Sequence, residues 1–497
     1  MSSTSNRLIK NISVLMLSQL ATWVLTLLLT LFLPRYLGPE SNGILAIAVS
    51  IWTLLQVFIG FGGDTYLVKQ IARDPEQVYT FLGTTLGLRT IFYGIGLLLL
   101  SIGCWLLKMP LESVILVQLI GVSFFVGSLA SAVTATLQGL EIMEYISIAN
   151  VASRAINSFL GITVLLLGFG LYAVTGVMIV AAVALLVIQL YYLQRHRPLQ
   201  LRFERRQVLP LLRNSLPYVA TAMVMVGYAQ INVLVIGLML STKEVGWYGA
   251  ASQLFGTLLF LPVVFATALL PQMTRAFSTS ADVLPLMFRK SLELVLLIGV
   301  PIGLGLLAVA EPLVSFIFGA EFGPTGPVLQ VMGLALIVMY LNVMIGQYFT
   351  SIDRQNTWTV TIALSAVMMA GMTVVIVPWC QQLFGNGAVG GAISLLLAEA
   401  SMVVVGGWLL RRELLNRALI WSIARIAIAG LVMVLAVWLA RSTPLALMIG
   451  LGATAYSAMI LLLRIVPRED FELLRAFVGS LLGRLRSGHG TAGAGGD

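Results

Sequence analysis

Ionisable side chains lie inside apolar segments of this 497-residue chain. A charge left in hydrocarbon costs several kcal/mol, about 2.5 to 3.5 on insertion scales, so each such residue calls for an explanation. Arg89 and Arg154 lie several residues inside two of these segments, and their guanidinium groups could bind a phosphate group in a hydrated cavity. Alternatively, both side chains extend to the lipid headgroups beside them, and the sequence leaves the two interpretations open.

Two acidic residues are candidates for coupling to an ion. Glu399 lies near the middle of an apolar segment, too far from either surface for its side chain to reach the headgroups. A carboxyl group in that position is typical of sites that bind protons or cations. Asp64 is the second candidate, because it continues a polar stripe that includes Gln56 and Gly60.

Polar residues recur at helical spacing in several apolar segments. In a membrane such a stripe faces either another helix or a water-filled cavity. A stripe of Ser18, Thr22, Thr26 and Thr30 favours helix packing. Two other stripes favour a cavity because they carry a charge or a series of Tyr and Asn residues. Their candidate cavity residues are Asn150, Arg154 and Asn157 in one segment, and Tyr218, Thr221, Tyr228 and Asn232 in another.

The chain offers little for catalysis. Its two histidines, His196 and His489, lie in a basic loop and a Gly-rich tail, and no Cys, His or carboxylate cluster has metal-ligand spacing. No Gly-rich phosphate-binding loop is present either. The sequence therefore predicts a protein that is not an enzyme, with no metal site, no cofactor and no nucleic-acid partner. Its work must depend on an ion gradient, the membrane potential or the gradient of its substrate.

The composition determines the fold class. The chain is 59% hydrophobic and 10% charged, which leaves too little polar surface to cover a soluble protein of this length. Its apolar runs are continuous, whereas the strands of a membrane β-barrel alternate apolar and polar residues. Runs of about 20 residues are long enough to cross a bilayer as helices. We therefore predict an all-α polytopic membrane protein.

Fourteen transmembrane helices are predicted, with both termini on the cytoplasmic side. This orientation places all but four of the 29 Lys and Arg residues on that side, including a cluster between the sixth and seventh spans. The cluster consists of Arg195, Arg197, Arg202, Arg205, Arg206 and Arg213. The spans are predicted at 11–33, 43–61, 82–107, 114–138, 146–168, 172–193, 215–239, 247–270, 290–310, 327–350, 357–379, 388–410, 420–440 and 445–464.

An internal sequence repeat predicts two pseudo-symmetric six-helix lobes plus a C-terminal helix pair. Gln118, Gly121 and Glu141 match Gln330, Gly333 and Asp353 at a constant offset of 212 residues, and residues 40–43 before the second span resemble residues 244–246 before the eighth. The predicted parts are an N-terminal lobe (1–193), a basic cytoplasmic linker (194–214), a C-terminal lobe (215–410), the helix pair (411–464) and a cytoplasmic tail with an interfacial helix (465–497).

Three segments resemble those of a known family. Residues 33–43 (LPRYLGPESNG) follow the first span, residues 211–217 (LLRNSLP) enter the seventh, and residues 245–251 (VGWYGAA) begin the eighth. They are similar to the corresponding segments of polysaccharide flippases in the multidrug/oligosaccharidyl-lipid/polysaccharide exporter superfamily. The resemblance extends over roughly residues 7–465.

The resemblance implies a V-shaped pair of lobes around a cavity that opens alternately to the two sides of the membrane. Family members move undecaprenyl-diphosphate-linked oligosaccharides from the cytoplasmic to the periplasmic leaflet, with ion coupling, for exopolysaccharide, O-antigen or capsule biosynthesis. A diphosphate would suit Arg89 and Arg154. Many members carry an Asp five residues before a Gly in the seventh span, where this chain has Asn232 before Gly237. A carboxylate role at that position is therefore not expected.

The expected substrate is thus a lipid-linked oligosaccharide, and the expected location is the bacterial cytoplasmic (inner) membrane. The expected partners are membrane lipids and a glycan polymerase or other polysaccharide-assembly proteins. Two alternatives share the fold: a multidrug efflux antiporter and a peptidoglycan-precursor flippase. A membrane glycan polymerase or ligase is disfavoured, because such enzymes need a substantial outer loop and the predicted outer connections are short.

Overall fold

The computed structural model describes residues 2–465 apart from 107, 109, 197–199, 280–281 and 412–416, with the side chains of the first helix described from residue 18 onward. All regular secondary structure in these ranges is helical, which confirms the all-α class. Arg197 and the predicted interfacial helix of the tail lie outside the described residues. The α-helices are α1 Ser2–Gly60, α2 Gly63–Arg73, α3 Val78–Leu106, α4 Leu111–Gly139, α5 Met143–Leu166, α6 Gly170–His196, α7 Arg205–Met239, α8 Thr242–Leu258, α9 Phe260–Thr279, α10 Leu284–Phe318, α11 Thr325–Ser351, α12 Gln355–Phe384, α13 Ala388–Leu409, α14 Arg417–Leu439 and α15 Leu445–Leu462.

The helices are long and apolar enough for a multi-pass membrane protein, with thirteen candidate spans in the described part of the chain. The first candidate, Ser18–Arg73, has 56 residues, whereas about 20 suffice for one crossing. Within it, Gly38 has non-helical dihedral angles (φ 76°, ψ 166°), a conformation that a residue with a Cβ atom rarely adopts. Helix α1 therefore consists of two helices that meet at Gly38 and correspond to the first two predicted spans. The total of fourteen spans stays a prediction.

The second half of α1 crosses α8 where both helices carry glycine. A Cβ atom added to Gly43 would lie 1.8 Å from the carbonyl oxygen of Thr242, and one added to Gly246 would lie 1.7 Å from that of Pro39. No side chain larger than hydrogen fits at either position without a shift of the backbone. Beside these glycines, the Asn42 amide donates a 2.9 Å hydrogen bond to the carbonyl oxygen of Gly246. We call this contact the α1–α8 crossing.

The residues of the α1–α8 crossing recur at one offset along the chain. Besides the two glycine contacts, a Cβ atom added to Gly249 would lie 3.1 Å from the Cβ atom of Ala46. Each contact therefore joins one residue of α1 to one residue of α8. The three residues of α1 and the three residues of α8 have the same spacing along the chain. These residues are Pro39, Gly43 and Ala46, and, 203 residues later, Thr242, Gly246 and Gly249. The two similar segments, residues 40–43 and 244–246, thus meet in a single helix contact.

The ends of α4 and α11 have the same backbone geometry. Glu141 and Asp353, which the sequence pairs at an offset of 212 residues, have positive φ angles of 61° and 57°. Equivalent hydrogen bonds between backbone N–H and carbonyl groups close the two helices, again at that offset. The bonds are Leu140 to Thr136 (3.0 Å) and Ile142 to Leu137 (2.9 Å) in α4, and Ile352 to Tyr348 (3.2 Å) and Arg354 to Phe349 (2.8 Å) in α11. The division into two six-helix lobes stays a prediction.

Most buried apolar side chains of the described residues form clusters within one part of the chain, although a small cluster joins Phe61 and Leu88 to Leu211 of α7. The largest cluster is drawn from residues 233–419, and two smaller ones come from residues 33–193. Helices α14 and α15 pack on α10 beside the largest cluster. There Gly430 lies directly against Val300, and the Tyr456 hydroxyl donates a 3.0 Å hydrogen bond to the carbonyl oxygen of Leu297.

The segment between α6 and α7 is bound to α3. The backbone N–H of Arg202 donates to the carbonyl oxygen of Tyr79 (3.3 Å), and that of Glu204 donates to the Thr84 hydroxyl (3.1 Å). Gly83 allows this approach, because an added Cβ atom would lie 2.6 Å from the carbonyl oxygen of Arg202. We call this the linker end of the molecule. Helix α7, with 35 residues and a length of about 50 Å, separates it from the crossing end, where α8 begins.

We expect Gly246→Ala to destabilise the protein by about 1 to 3 kcal/mol, because the added methyl group overpacks the α1–α8 crossing. Gly256 on the same helix is the matched control, since nothing lies within 4 Å of an added Cβ atom there. Gly256→Ala should leave stability unchanged or raise it by up to about 1 kcal/mol through helix propensity. Thermal unfolding of the two purified variants, followed by tryptophan fluorescence, provides the comparison. Equal melting temperatures would contradict the requirement for glycine at the crossing.

Candidate functional site

Arg154 lies on α5 and borders a cavity of about 350 Å³ between α1, α4, α5 and α6. Gln56, Ser153 and Asn157 are among the polar residues in the same wall. Within the described ranges, no residue forms a hydrogen bond or an ion pair with the Arg154 guanidinium group. A guanidinium group has five N–H donors and no acceptor, so it is suited to bind an anion that enters this space. We call this space the Arg154 cavity.

A second cavity of about 320 Å³ adjoins the Arg154 cavity, and Asn157 and Met178 line both. Its wall is mainly apolar and includes residues from both halves of α1. Ala46 and Gly249 of the α1–α8 crossing also line it, so the crossing covers this cavity on one side. We call it the apolar cavity. Together the two spaces place a compartment with one cationic and several polar side chains beside a compartment without a charged residue in its wall, an arrangement that suits an amphiphilic ligand.

Arg89, the other candidate phosphate ligand, is held within the protein. Its side chain is fully buried, and its Nη2 atom lies 2.5 Å from Oδ1 of Asp64. Its Nη1 atom donates to the Ser131 hydroxyl (2.6 Å) and to the carbonyl oxygen of Ser128. The Ser131 hydroxyl also donates to Asp64 Oδ2 (3.2 Å). In this structure the Arg89 guanidinium therefore neutralises a carboxylate of the chain, and it lines neither of the two cavities.

Asp64 is positioned by a break in the helix that forms the predicted second span. Helix α1 ends at Gly60, and α2 begins at Gly63 after two residues with positive φ angles, Phe61 (39°) and Gly62 (62°). The break puts Asp64 in the first turn of α2, where the helix dipole favours a carboxylate. The side chain of Asp64 is 47% exposed, whereas that of its partner Arg89 is completely buried. The pair thus joins the start of α2 to α3.

Like Arg89, three more of the predicted cavity residues line neither of the two cavities. The hydroxyl of Tyr218, on α7, accepts a 2.7 Å hydrogen bond from Lys69 of α2. The Thr221 hydroxyl donates to the carbonyl oxygen of Pro217 in its own helix (3.2 Å), and the Asn150 side chain is exposed. Tyr218 therefore links α7 to α2. A cavity role for the three residues stays a prediction.

Glu399, on α13, is buried in a hydrogen-bonded group with α7 and α11, and only 1% of it is exposed. Its Oε1 atom accepts a hydrogen bond from the Tyr228 hydroxyl (2.6 Å), and its Oε2 atom accepts one from the Asn342 amide (2.7 Å). The same amide nitrogen lies 2.8 Å from the backbone carbonyl oxygen of Glu399. Tyr228 was predicted as a substrate ligand and Glu399 as an ion-coupling residue. The structure brings them together in one buried group.

Asn232, also on α7, connects four helices. Its Nδ2 atom donates to the Tyr248 hydroxyl (2.9 Å) and to the carbonyl oxygen of Gly391 (2.8 Å), and its Oδ1 atom accepts from the Thr373 hydroxyl (2.7 Å). These bonds satisfy the side chain inside the protein, where 3% of the residue is exposed. Asn232 therefore links α7, α8, α12 and α13 and lines neither cavity.

The sequence pattern did not single out all of the residues in these groups. Gln56 appeared in the polar stripe of the second span, but only its position in the wall of the Arg154 cavity makes it a candidate ligand. Asn342, which binds Glu399, belonged to none of the polar stripes found in the sequence. In the first span, the hydroxyls of Thr22 and Thr26 donate to carbonyl oxygens of their own helix.

The model of the family described as polysaccharide biosynthesis protein matches residues 32–327, more than half of the chain. The chain belongs to this family. The family resemblance that the sequence suggested is thereby confirmed. The matched range contains the Arg154 cavity, the α1–α8 crossing, the Arg89–Asp64 pair and every residue of the apolar cavity except Leu29, whereas Glu399 lies beyond it.

Two curated relatives match part of the chain. The succinoglycan biosynthesis transport protein ExoT of Rhizobium meliloti is 23% identical over 339 residues, which cover 66% of this chain and 65% of that protein. The probable lipid II flippase MurJ of Vibrio cholerae serotype O1 is 27% identical over 272 residues, which cover 48% of this chain and 50% of that protein. The matches thus span less than two thirds of either relative.

Solved structures with the same fold cover most of the chain. The lipid II flippase MurJ in an inward closed conformation has a TM-score of 0.68 and 14% identity, over 90% of this chain and 99% of that chain. An inward-facing multidrug resistance transporter of the MATE family in the MOP superfamily has a TM-score of 0.65 and 17% identity, over 79% of this chain and 95% of that chain. This likeness establishes the fold.

We expect Asp64→Ala to destabilise the protein by about 2 to 3 kcal/mol, because it leaves the buried Arg89 guanidinium without its anion. The value is below the 3 to 5 kcal/mol or so of a completely buried pair, since Asp64 is partly exposed. The double variant Asp64→Ala/Arg89→Met removes both charges and should recover most of the loss. Thermal unfolding of wild type and the two variants measures the difference. A double variant no more stable than Asp64→Ala would contradict the pairing.

Proposed function

We propose that the protein is a flippase that moves an undecaprenyl-diphosphate-linked oligosaccharide from the cytoplasmic to the periplasmic leaflet. Membership of the polysaccharide biosynthesis protein family supports a role in glycan assembly. The relatives are named as a transport protein for succinoglycan biosynthesis and a probable lipid II flippase, names that describe transport rather than catalysis. The observation that carries the proposal is Arg154, a cation without a partner in the described protein that borders a cavity with several polar side chains in its wall.

Arg154 suits the diphosphate of such a substrate. A guanidinium group offers parallel N–H donors that match two oxygens of one phosphate. Arg89 was the other candidate, but in this conformation Asp64 already neutralises it. We therefore assign the phosphate contact to Arg154 and a structural role to the Arg89–Asp64 pair.

Translocation by alternating access would require the crossing end to open. At that end the α1–α8 crossing brings the two parts of the chain into backbone contact. Nearby, Arg35 Nη1 donates to the last carbonyl groups of α10, those of Phe316 (3.1 Å) and Ile317 (3.3 Å). The predicted orientation places the linker end in the cytoplasm. We propose that the substrate headgroup enters from the linker end and leaves after these contacts separate, while the polyprenyl chain stays in lipid.

Glu399 is our candidate for ion coupling. Its carboxyl group contacts side chains of α7 and α11 directly, so a change in its protonation would alter hydrogen bonds between three helices. Such a group responds to a proton or cation gradient without contacting the substrate. Asp64, the second candidate, serves Arg89 instead.

The cellular setting follows from the proposed substrate. A carrier of undecaprenyl-diphosphate glycans acts in the bacterial inner membrane, and the distribution of basic residues favours cytoplasmic termini. Membrane lipids are its surroundings, and a glycan polymerase or another polysaccharide-assembly protein would receive the translocated substrate.

Two alternative substrates share the same fold. The partial match to the probable lipid II flippase favours a peptidoglycan precursor, which would have the same lipid diphosphate. Rescue of cells depleted of their essential lipid II flippase would identify that activity. A multidrug antiporter, suggested by the fold of the MATE transporter, would instead confer drug resistance on expression.

We expect Arg154→Ala to reduce flipping at least tenfold, because it removes the phosphate contact. The measurement uses liposomes that contain the purified protein and a fluorescent polyprenyl-diphosphate oligosaccharide, with an impermeant quencher outside. Arg206→Ala is the control, since Arg206 is an exposed arginine of the basic cluster. Wild-type rates in Arg154→Ala would remove the phosphate contact from the mechanism. No flipping by the wild-type protein would reject this substrate.

We expect Glu399→Gln to abolish the acceleration of flipping by an imposed ion gradient, because an amide cannot gain or lose the proton. The rate without a gradient should change less than threefold. Glu112→Gln, at an exposed position in the first turn of α4, is the matched control. A Glu399→Gln variant that still responds to the gradient would exclude Glu399 as the coupling residue.

A further inference from the structure

A second close contact between the two parts of the chain lies toward the linker end, where the break before α2 meets α7. A Cβ atom added to Gly62 would lie 2.8 Å from the backbone nitrogen of Val219 and 2.9 Å from the carbonyl oxygen of Ser215. Gly62 also has a φ angle of 62°, a conformation that favours glycine. Beside it, Phe61 is buried in one cluster with Leu211 of α7. We call this the α2–α7 contact.

The α2–α7 contact and the α1–α8 crossing lie on opposite sides of the two cavities. The second half of α1 contacts α8 at Gly43 and leads to Gly62, 19 residues later, which corresponds to roughly 28 Å of helix. Residues of this stretch line both cavities, with Ala46 in the wall of the apolar cavity and Gln56 in that of the Arg154 cavity. Along this helix the α2–α7 contact therefore lies between the linker end and the cavities.

Two side-chain hydrogen bonds cross the α2–α7 contact. The Nζ atom of Lys69 donates to the hydroxyl of Tyr218 (2.7 Å), and Nδ2 of Asn214 donates to the hydroxyl of Tyr66 (3.3 Å). Both acceptors are uncharged. The ion pair of α2 with α3, by contrast, lies within the first part of the chain. A separation of α2 from α7 would therefore break two bonds to neutral acceptors and leave the ion pair intact.

Lys69 is open to an anionic ligand. Its ammonium group has three N–H donors and no acceptor, and the Tyr218 hydroxyl takes one of them. Among the described residues no carboxylate forms an ion pair with Lys69, and the residue is exposed. A phosphate oxygen accepts a hydrogen bond and also attracts the ammonium group through its negative charge, whereas the phenol oxygen is neutral. A diphosphate that reaches Lys69 therefore competes favourably with Tyr218.

We propose that Lys69 and Tyr218 form an anion-operated latch at the linker end. In the closed conformation Lys69 donates to Tyr218 and holds α2 against α7. The diphosphate of the substrate binds the Lys69 ammonium group, breaks its hydrogen bond to Tyr218 and allows the two helices to separate, after which Arg154 receives the phosphate in its cavity. This inference rests on the proposed function and names the residue that the headgroup contacts first.

Distances between spin labels on α2 and α7 measure the separation directly. The labels are attached to Ala72→Cys of α2 and Leu216→Cys of α7, two exposed positions. The full-length protein also carries Cys104→Ala and Cys380→Ala, which remove its two buried cysteines. A second pair, Ala72→Cys with Gln138→Cys of α4, reports on the first part of the chain alone. Pulsed electron paramagnetic resonance on the protein in lipid nanodiscs gives the distribution of each distance.

Three probes separate the effect of the anion from that of the lipid: a short-chain polyprenyl diphosphate, the uncharged polyprenol of the same length, and inorganic diphosphate. We expect the polyprenyl diphosphate to lengthen the α2–α7 distance in part of the population and the polyprenol to leave it unchanged. Lys69→Gln should need about tenfold more polyprenyl diphosphate for the same response, because its amide still donates to Tyr218 but carries no charge. The distance between α2 and α4 should stay constant throughout.

Arg73→Gln is the matched control, since Arg73 is the other cation of α2, also exposed and one turn from Lys69. It should respond to the polyprenyl diphosphate as the wild-type protein does. The latch would be overturned by an unchanged α2–α7 distance in the wild-type protein, by an equal response to the polyprenol, or by a Lys69→Gln variant that responds at wild-type concentrations. An equal response to inorganic diphosphate would assign Lys69 to a free anion and overturn its part in substrate entry.

The liposome assay of flipping tests the proposed function separately. Flipping by a wild-type protein whose α2–α7 distance does not respond to the diphosphate would overturn the latch and leave the proposed function standing. A separation that depends on Lys69, in a protein that flips no lipid-linked oligosaccharide, would support the latch and reject the proposed function.

Discussion

The backbone contact between α1 and α8 is the constraint on which the arrangement of the cavities depends. Gly43 and Gly246 let the helices approach until their main chains touch, and Asn42 adds a hydrogen bond across the contact. In a membrane, close packing of small residues drives helix association, because lipid offers no hydrophobic gain. The contact leaves no room for water or for a ligand between these two helices at the glycines. The apolar cavity therefore ends at the crossing, and the Arg154 cavity lies on its far side.

Arg89 and Arg154, both in the first part of the chain, have different roles because different residues surround them. Arg89 is fully buried and has Asp64 beside it, so its charge is neutralised and the pair holds α2 against α3. Among the described residues, Arg154 has no ion-pair partner, and it borders a cavity, so its charge is available to a ligand. Glu399 is a buried acidic residue with a different role. Its carboxyl group is hydrogen-bonded to Tyr228 and Asn342, so it links three helices through hydrogen bonds that depend on its protonation.

The sequence predicted the all-α membrane class, the family and the position of most spans, because long apolar segments and basic loops are strong local signals. It also predicted a stripe on α7, which includes Asn232, as the lining of a cavity. It could not tell a cavity from a helix contact, since periodicity identifies one side of a helix and not what lies opposite. Asn232 proved to be satisfied by Thr373, far away in the sequence, and Arg89 proved to be paired with Asp64. The break at Phe61 and Gly62 was likewise hidden, because it depends on backbone angles and on packing against α7.

The reciprocal geometry of the α1–α8 crossing is that of an isologous interface in a homodimer, in which the same patch meets itself across a twofold axis. In a true dimer each substitution appears on both sides at once, so every position must suit both roles. A single chain that contains two such halves is released from that restriction. Asn42 donates a hydrogen bond across the contact, whereas the residue at the matching position, Val245, is apolar. Covalent fusion thus allows one side of a symmetric contact to specialise while the glycines on both sides keep the helices together.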